Sequence, residues 1–182
     1  MAIYVSLLRG INVGGNKRIK MDALRQSFEG LGFEQVKTFI QSGNVVYKSG
    51  KASTTALSNK IEKRLLDDFG FVVPVITRTA EELAGTIRNN AFVAAKGIDQ
   101  EKLHVMFLSA AATPDALSKF AALIAEPEQC RCVGREVYLY LPKGVAESKL
   151  MKAPLDRILS VVPTTRNWRT VNSLHQMCQD CR

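Results

Sequence analysis

The sequence lacks the long apolar run that a membrane-spanning helix needs. Such a helix takes about 20 consecutive apolar residues, and no stretch of this 182-residue chain approaches that length. The apolar run at residues 2–8 is too short for a signal peptide and has no basic leader before it. We therefore predict a cytoplasmic protein without a membrane partner.

Acidic residues are scarce relative to basic ones. The chain has 17 Asp and Glu against 25 Lys and Arg, a formal net charge of +8. This excess favours anionic partners such as nucleotides or nucleic acid, although a basic surface can equally serve solubility. The 46% of hydrophobic residues is ordinary for a globular protein and higher than in disordered chains.

There are only four cysteines, in two pairs, Cys130-x-Cys132 and Cys178-x-x-Cys181. In a cytoplasmic protein, free thiols are favoured over disulfides. The four cysteines can supply a zinc site, with His175 as a further ligand. However, the first pair shares one face of a strand, which suits core packing, and the second lies in a tail expected to fray. We predict no metal and no cofactor, and redox chemistry stays open.

No catalytic constellation stands out. There is no Ser-His-Asp or Cys-His order with supporting context, and no paired carboxylates lie near the basic loop described below. His104 falls inside a predicted strand without an acid or nucleophile partner, so we expect a packed strand residue. Whether the protein is an enzyme therefore remains undecided.

The hydrophobic pattern predicts the same order of elements twice. In the first half, strands are predicted at 2–8, 36–41, 44–47 and 71–77, with helices at 21–31 and 57–69. This β-α-β-β-α-β order is that of the ferredoxin-like unit. A capping box at Thr79 and Glu82 then opens another helix, and a less regular linker follows.

The second half starts with a predicted strand at 102–109 and a helix from Thr113-Pro114. A hairpin around Gly134-Arg135, a helix interrupted near Pro154, a short extended segment and a terminal helix complete it. We predict an α+β fold of two ferredoxin-like (βαββαβ) halves packed together, with mainly antiparallel sheets and an extra C-terminal helix. The predicted division is 1–78, 79–101 for the helix and linker, and 102–182.

The segment from Leu8 to Lys20 carries the strongest functional signal. It joins a predicted strand to an amphipathic helix and contains three glycines, so its backbone N–H groups can face an anion. It is not a Walker A motif, because Asn16 intervenes before Lys17 and Arg18 stands where Ser or Thr belongs. The alternative is a tight connection that needs positive φ at its glycine pair. The cations of the segment are Arg9, Lys17, Arg18 and Lys20.

Three other segments extend the predicted site. The segment 41–44 has turn chemistry, but a ferredoxin-like sheet places the end of strand one beside the start of strand three. Lys149 begins a helix, whose dipole helps to hold an anion, and Arg166 can form a bidentate fork to phosphate. Trp168 can stack on a ring or anchor a core. The predicted ligand-binding residues are Arg9, Asn12, Gly14, Gly15, Lys17, Ser42, Asn44, Lys149 and Arg166.

Five segments, in order, resemble landmarks of the family called domain of unknown function 1697 (DUF1697). They are Arg9-Gly-Ile-Asn-Val-Gly-Gly15, Gln41-Ser-Gly-Asn-Val45, Gly134-Arg-Glu-Val-Tyr-Leu139, Ser148-Lys-Leu150 and Thr164-Thr-Arg-Asn-Trp168. The resemblance runs from near residue 1 to about residue 175. It implies a bacterial-type α+β protein of two ferredoxin-like halves and no established activity.

The sequence thus predicts a binding protein for an anionic, phosphate-bearing ligand such as a nucleotide or a nucleic-acid phosphate. We expect a monomer or weak dimer. The alternative is an enzyme of phosphate-ester or acyl-transfer type, in which the same cleft stabilises a developing anion. Binding of nucleic acid over a broad basic surface is a third reading, which predicts a steep salt dependence.

Overall fold

The computed structural model describes residues 1–181 and divides into two compact units. The first unit consists of Met1–Gly85 together with the chain from Ser173 onward, and the second is Thr86–Asn172. The described residues form an α+β protein with two four-stranded antiparallel sheets and seven α-helices. None of the described helices is both long and apolar enough to cross a membrane.

The first unit is built on the sheet β2-β3-β1-β4. β1 lies at its centre, antiparallel to β3 with Val5 opposite Val46 and to β4 with Val5 opposite Arg78. The elements are β1 (Ala2–Leu8), α1 (Met21–Glu29), β2 (Glu34–Phe39), β3 (Asn44–Ser49), α2 (Thr54–Phe69), β4 (Val75–Thr79) and the start of α3 (Ala80–Arg88).

The core of this unit lies between α1, α2 and one face of the sheet. Phe28 of α1, Ile61 and Leu65 of α2, and Tyr47 of β3 are all fully buried in a single apolar cluster. Ser53 caps α2 by accepting a hydrogen bond from the amide of Ala56, and Gly70 ends the helix in the left-handed conformation.

The second unit is built on the sheet β6-β7-β5-β8, the same strand order by position as in the first unit. Val105 on β5 stands opposite Arg166 on β8, as Val5 stands opposite Arg78 in the first sheet. The elements are β5 (Leu103–Leu108), α4 (Pro114–Ala121), β6 (Gln129–Val133), β7 (Glu136–Tyr140), α5 (Lys149–Lys152), α6 (Leu155–Leu159), β8 (Pro163–Asn167) and the start of α7 (Trp168–Gln179).

Several predicted elements differ from the structure. The strand predicted at 71–77 runs instead at Val75–Thr79, because Pro74 has no N–H to donate to a strand ladder. The linker contains two short 3₁₀ helices, at Ala91–Ala94 and Gln100–Lys102. The tail expected to fray is helical to Gln179, and both of its cysteines are buried.

Candidate functional site

The two loops that the sequence predicts to be neighbours meet at one end of the first sheet. The amide of Leu8, the last residue of β1, donates to the carbonyl of Gly43 over 2.8 Å. The next amide, that of Arg9, donates to the carbonyl of Pro74 over 2.9 Å. The glycine-rich loop, defined here as residues 9–20, therefore starts between the β2–β3 turn and the segment that leads into β4.

Asn12 holds this loop to the turn. Its side-chain Nδ2 donates to the carbonyls of Ile19, over 3.0 Å, and Gln41, over 2.8 Å. Its Oδ1 accepts from the amide of Ile19 over 2.9 Å. The backbone of Asn12 has φ 56°, a left-handed conformation that Asn tolerates better than most residues. The side chain thus closes the loop upon itself and is a positioning residue.

Gly43 allows a close approach between the two loops. It is buried, its φ is 78°, and an added Cβ would stand 2.7 Å from Cδ1 of Ile11 and 2.8 Å from Cβ of Leu8. No ordinary side-chain carbon approaches that closely. The conformation and the contact both require glycine here, so the spacing of the loops depends on this residue.

A cleft of about 510 Å³ opens beside these loops. Its volume lies within the range of roughly 300–1,000 Å³ that small-molecule sites occupy. Its lining contains two cations, Arg18 and Lys20, and no carboxylate among the described residues. The residues that line it are Asn12, Gly15, Arg18, Ile19, Lys20 and Gln41.

The two cations of the cleft are exposed. Within residues 1–181, neither Arg18 nor Lys20 makes a side-chain hydrogen bond or ion pair with the protein. The nearest acid along the chain, Asp22, is 3.8 Å from Arg25 on the next turn of α1. The positive charge in the cleft wall is therefore not neutralised within the described chain.

The first turn of α1 begins at the cleft. Lys20 is the residue before the helix, and it makes no side-chain hydrogen bond that caps the helix. The first amides of an α-helix have no partner within the helix, and they carry a partial positive charge. The cleft thus combines two cationic side chains with the start of a nine-residue helix.

Among the other predicted residues of the first unit, Gly15 also lines this cleft. Gly14 and Gly15 are exposed, with φ of 61° and 81°. Positive φ at this glycine pair is what a tight connection between β1 and α1 requires. Lys17 donates from Nζ to the carbonyl of Val72 over 2.7 Å. Asn44 is fully buried and donates to the oxygens of Phe39 and Ser42, each over 2.9 Å, so it shapes the turn.

Lys149 lies in the second unit, on the four-residue helix α5. It lines a separate cleft of about 230 Å³ that also contains Lys143 and three glutamates, Glu126, Glu128 and Glu147. The formal net charge of this cleft is −1, because its lining contains two lysines and three glutamates. This environment does not favour an anion.

Arg166 also belongs to the second unit, on the edge strand β8. Only 9% of the residue is exposed, and its Nη1 donates to Thr164 Oγ1 over 3.0 Å and to the carbonyl of Thr165 over 2.9 Å. Burial lowers the pKa of its guanidinium to about 10. The side chain is thus held by its own strand. Trp168 begins α7 and is buried.

The comparison with protein families agrees with the landmarks in the sequence. The family model described as "Protein of unknown function (DUF1697)" matches residues 1–138, more than two thirds of the chain. The chain belongs to this family. The match includes the glycine-rich loop, the β2–β3 turn and all but the last residue of the landmark that begins at Gly134. The last two landmarks, Ser148–Leu150 and Thr164–Trp168, lie beyond the matched residues of this DUF1697 protein.

A solved structure has the same fold. The conserved bacterial protein SP0830 from Streptococcus pneumoniae superposes on the DUF1697 chain with a TM-score of 0.78 and 24% sequence identity. The alignment covers 97% of this chain and 98% of that one. This likeness establishes the fold alone. No curated protein matches the sequence significantly.

The structure adds residues that the sequence-based site omitted. Arg18, Ile19, Lys20 and Gln41 line the cleft, although none is in the predicted binding set. The cluster of cations in residues 9–20 was a signal for Arg18 and Lys20. The segment 41–44 was a signal for Gln41, although Gln41 itself was not in the predicted set. Nothing in the sequence marked Ile19, because its position follows from the turn that Asn12 imposes on the loop.

Proposed function

We propose that this DUF1697 protein binds a phosphate-bearing anionic ligand, such as a nucleotide, in the cleft beside the glycine-rich loop. One observation carries the proposal. The cleft has the size of a small-molecule site, and its wall contains two exposed cations, Arg18 and Lys20, that make no side-chain hydrogen bond within the described chain. Such groups lose little when they turn from water to a phosphate.

The proposed roles follow from the chemistry of each group. The guanidinium of Arg18 forms a planar fork suited to two phosphate oxygens, whereas the ammonium of Lys20 acts as a point charge. The amides at the start of α1 supply further donors. Gly15 leaves space beside Arg18, whose Nη2 lies 3.7 Å from the position of an added Cβ.

We propose that two further cations, Arg9 and Lys17, help to attract the anion. The shape of the cleft depends on Asn12, Ser42 and Asn44. We leave Lys149 and Arg166 outside the proposed site. Lys149 stands among glutamates, and the Arg166 guanidinium is buried and bound to its own strand.

The strand order of the two sheets supports a finer description of the fold. In each unit the order is second, third, first and fourth strand, with neighbouring strands antiparallel. This is the order expected of a ferredoxin-like unit, and we propose that description for both. Bacterial origin, cytoplasmic localisation, the domain limits 1–78, 79–101 and 102–182, and the state of monomer or weak dimer stay predictions.

Titration calorimetry with pyrophosphate and with ATP tests the proposed site. A hydrogen bond to a charged group contributes about 1.5–3 kcal/mol, and 1.4 kcal/mol is a factor of ten in affinity. We therefore expect the double variant Arg18→Ala/Lys20→Ala to bind at least about 100-fold more weakly. The matched control is Lys63→Ala, which removes an exposed lysine of α2 that does not line the cleft.

A second double variant, Arg9→Ala/Lys17→Ala, removes the two cations of the glycine-rich loop that do not line the cleft. We expect a smaller loss of affinity from this variant. Unchanged affinity in Arg18→Ala/Lys20→Ala would refute the proposed site. A steep decrease of affinity with salt, shared by Lys63→Ala, would instead favour nucleic-acid binding over a broad basic surface. A panel of phosphate esters and acyl esters tests the enzyme alternative.

A further inference from the structure

Two cysteines form a cluster on the exposed edge of the second unit. They lie on β6, the edge strand of the sheet β6-β7-β5-β8. Cys130 is half-buried, Cys132 is exposed, and both are free thiols. Small molecules in solution can therefore reach this pair, unlike Cys178 and Cys181, which are buried.

The two thiols lie on the same face of the strand. In the antiparallel register with β7, Cys130 stands opposite Leu139 and Cys132 opposite Val137. Residues two apart on a strand point to the same side, with Cα atoms about 6.6 Å apart. Disulfides span Cα separations of roughly 4.4–6.8 Å. Disulfides also hold their Cβ atoms about 3.5–4.5 Å apart, so a bond between the two sulfurs needs a local shortening of this edge strand.

The pair is chemically unequal. Hydrogen bonding from the Cys130 thiol lowers the pKa of Cys132 to about 7. The same hydrogen bond, with burial as the second cause, raises the pKa of Cys130. At neutral pH, Cys132 is thus about half thiolate, while Cys130 keeps its proton and donates it. Arg131 is on the opposite face, with its guanidinium 5.7 Å from the ring centre of Phe92.

We propose that Cys130 and Cys132 form a reversible dithiol–disulfide site that exchanges with small disulfide compounds. Cys132 is the attacking thiol and Cys130 is the resolving thiol. This site belongs to the second unit and does not depend on the anion-binding cleft of the first.

The exchange runs in two balanced steps. The Cys132 thiolate attacks one sulfur of the small disulfide, forms a mixed disulfide and releases the first small thiolate. Cys130 then loses its proton, attacks Sγ of Cys132 and releases the second small thiolate. The small disulfide gains two electrons and becomes two thiols, and the two protein thiols are oxidised to one disulfide. The protons lost by the cysteines protonate the released thiolates.

The geometry favours reversibility. The expected Cα separation is near the upper end of the disulfide range, so the bond holds some strain, and strained disulfides are reduced more readily. The second step is also helped by the first. Once Cys132 is bonded to sulfur, it no longer carries the negative charge that holds the proton on Cys130.

The reactivity of Cys132 is the first measurement. At pH 7 a thiol of pKa 7 is about 50-fold more ionised than one of pKa 9, but each thiolate is roughly eightfold less nucleophilic. We therefore expect iodoacetamide to alkylate Cys132 about sixfold faster than a small thiol of pKa 9. A rate at or below that reference would overturn the assignment of Cys132 as the attacking thiol.

The second measurement exploits Arg131, which stands between the two cysteines. After the whole protein reacts with hydroxyethyl disulfide, trypsin cleavage at Arg131 separates peptides 120–131 and 132–135 unless a disulfide joins them. We expect the joined pair in the wild-type protein, with a loss of about 2 Da in the intact mass, and its reversal by dithiothreitol.

Variants separate the two roles. We expect Cys130→Ser to accumulate the mixed disulfide on Cys132, and Cys132→Ser to form neither product at this site. The double variant Cys178→Ser/Cys181→Ser, which alters only buried cysteines, should behave as wild type, with circular dichroism confirming that each variant folds. A wild-type protein that stops at the mixed disulfide, or that joins Cys130 to another cysteine, would overturn the proposal.

Discussion

Gly43 provides the sharpest test of how the two loops are held together. Replacing it by Ala combines two costs, because the position has φ 78° and the new Cβ would stand 2.7 Å from Ile11. A left-handed conformation costs an ordinary residue about 1–2 kcal/mol, and overpacking adds about 1–3 kcal/mol. We therefore expect Gly43→Ala to lower the free energy of unfolding by about 2–5 kcal/mol.

Two other glycines separate these costs. Gly10 has φ 71° but nothing within 4 Å of an added Cβ, so Gly10→Ala should cost only the conformational part, about 1–2 kcal/mol. Gly50 has neither a positive φ nor a close neighbour, and Gly50→Ala should change stability by no more than about 0.5 kcal/mol.

Urea unfolding followed by circular dichroism measures the stability of all three variants. The variants are compared where the slope of the unfolding free energy against urea concentration is the same for each. The expected order of destabilisation is Gly43, then Gly10, then Gly50. If Gly43→Ala were no less stable than Gly10→Ala, the close approach between the β2–β3 turn and the glycine-rich loop would be refuted.

Two further predictions concern polar side chains of the first unit, the half-buried Asn12 and the buried Tyr47. Asn12→Ala removes both side-chain donors and leaves the amide of Ile19 without its acceptor. We therefore expect the free energy of unfolding in urea to fall by about 2–4 kcal/mol. The control Asn16→Ala, at an exposed position, should lower it by less than about 0.5 kcal/mol. Burial raises the pKa of Tyr47 from 10.0 to about 12. The stability that the neutral phenol gives the fold is therefore fully present below pH 10 and is lost as the pH rises through 12. Between pH 10 and pH 12, the free energy of unfolding should fall by about 2 kcal/mol more in wild type than in Tyr47→Phe. An equal fall in both proteins would contradict the burial of the phenol.

The local patterns of the sequence predicted much of the fold. The capping box is present, since Thr79 Oγ1 accepts from the amide of Glu82 and Glu82 Oε2 accepts from the amide of Thr79. The hairpin at Gly134-Arg135 and the helix break near Pro154 are also present. These features depend on a few neighbouring residues, so the sequence alone reveals them.

The neighbourhood of the two loops was predictable from topology, but the cleft wall was not. An antiparallel pair of central strands brings residues 9–12 beside 42–44, and the structure has this arrangement. By contrast, the contribution of Arg18 and Lys20 depends on the left-handed turn at Asn12 and its three hydrogen bonds. Periodicity and composition do not encode such a turn.

The terminal cysteines lie in a segment whose packing the sequence did not predict. The sequence suggested a frayed tail, yet Cys178 and Cys181 are each only 2% exposed. Their burial depends on packing between residues distant in the sequence, which no local pattern reports. The zinc alternative needs ligands that converge, and within residues 1–181 no three His, Cys, Asp or Glu side chains do so.

The proposed anion site is tested most directly by amide chemical shifts during a pyrophosphate titration of the ¹⁵N-labelled protein. The proposal predicts that the largest saturable shifts occur at Gly15, Lys20 and Met21, at the cleft and the first turn of α1. Shifts that do not saturate, or that are as large at Lys63 and Lys149, would show that phosphate meets the basic surface without a specific site.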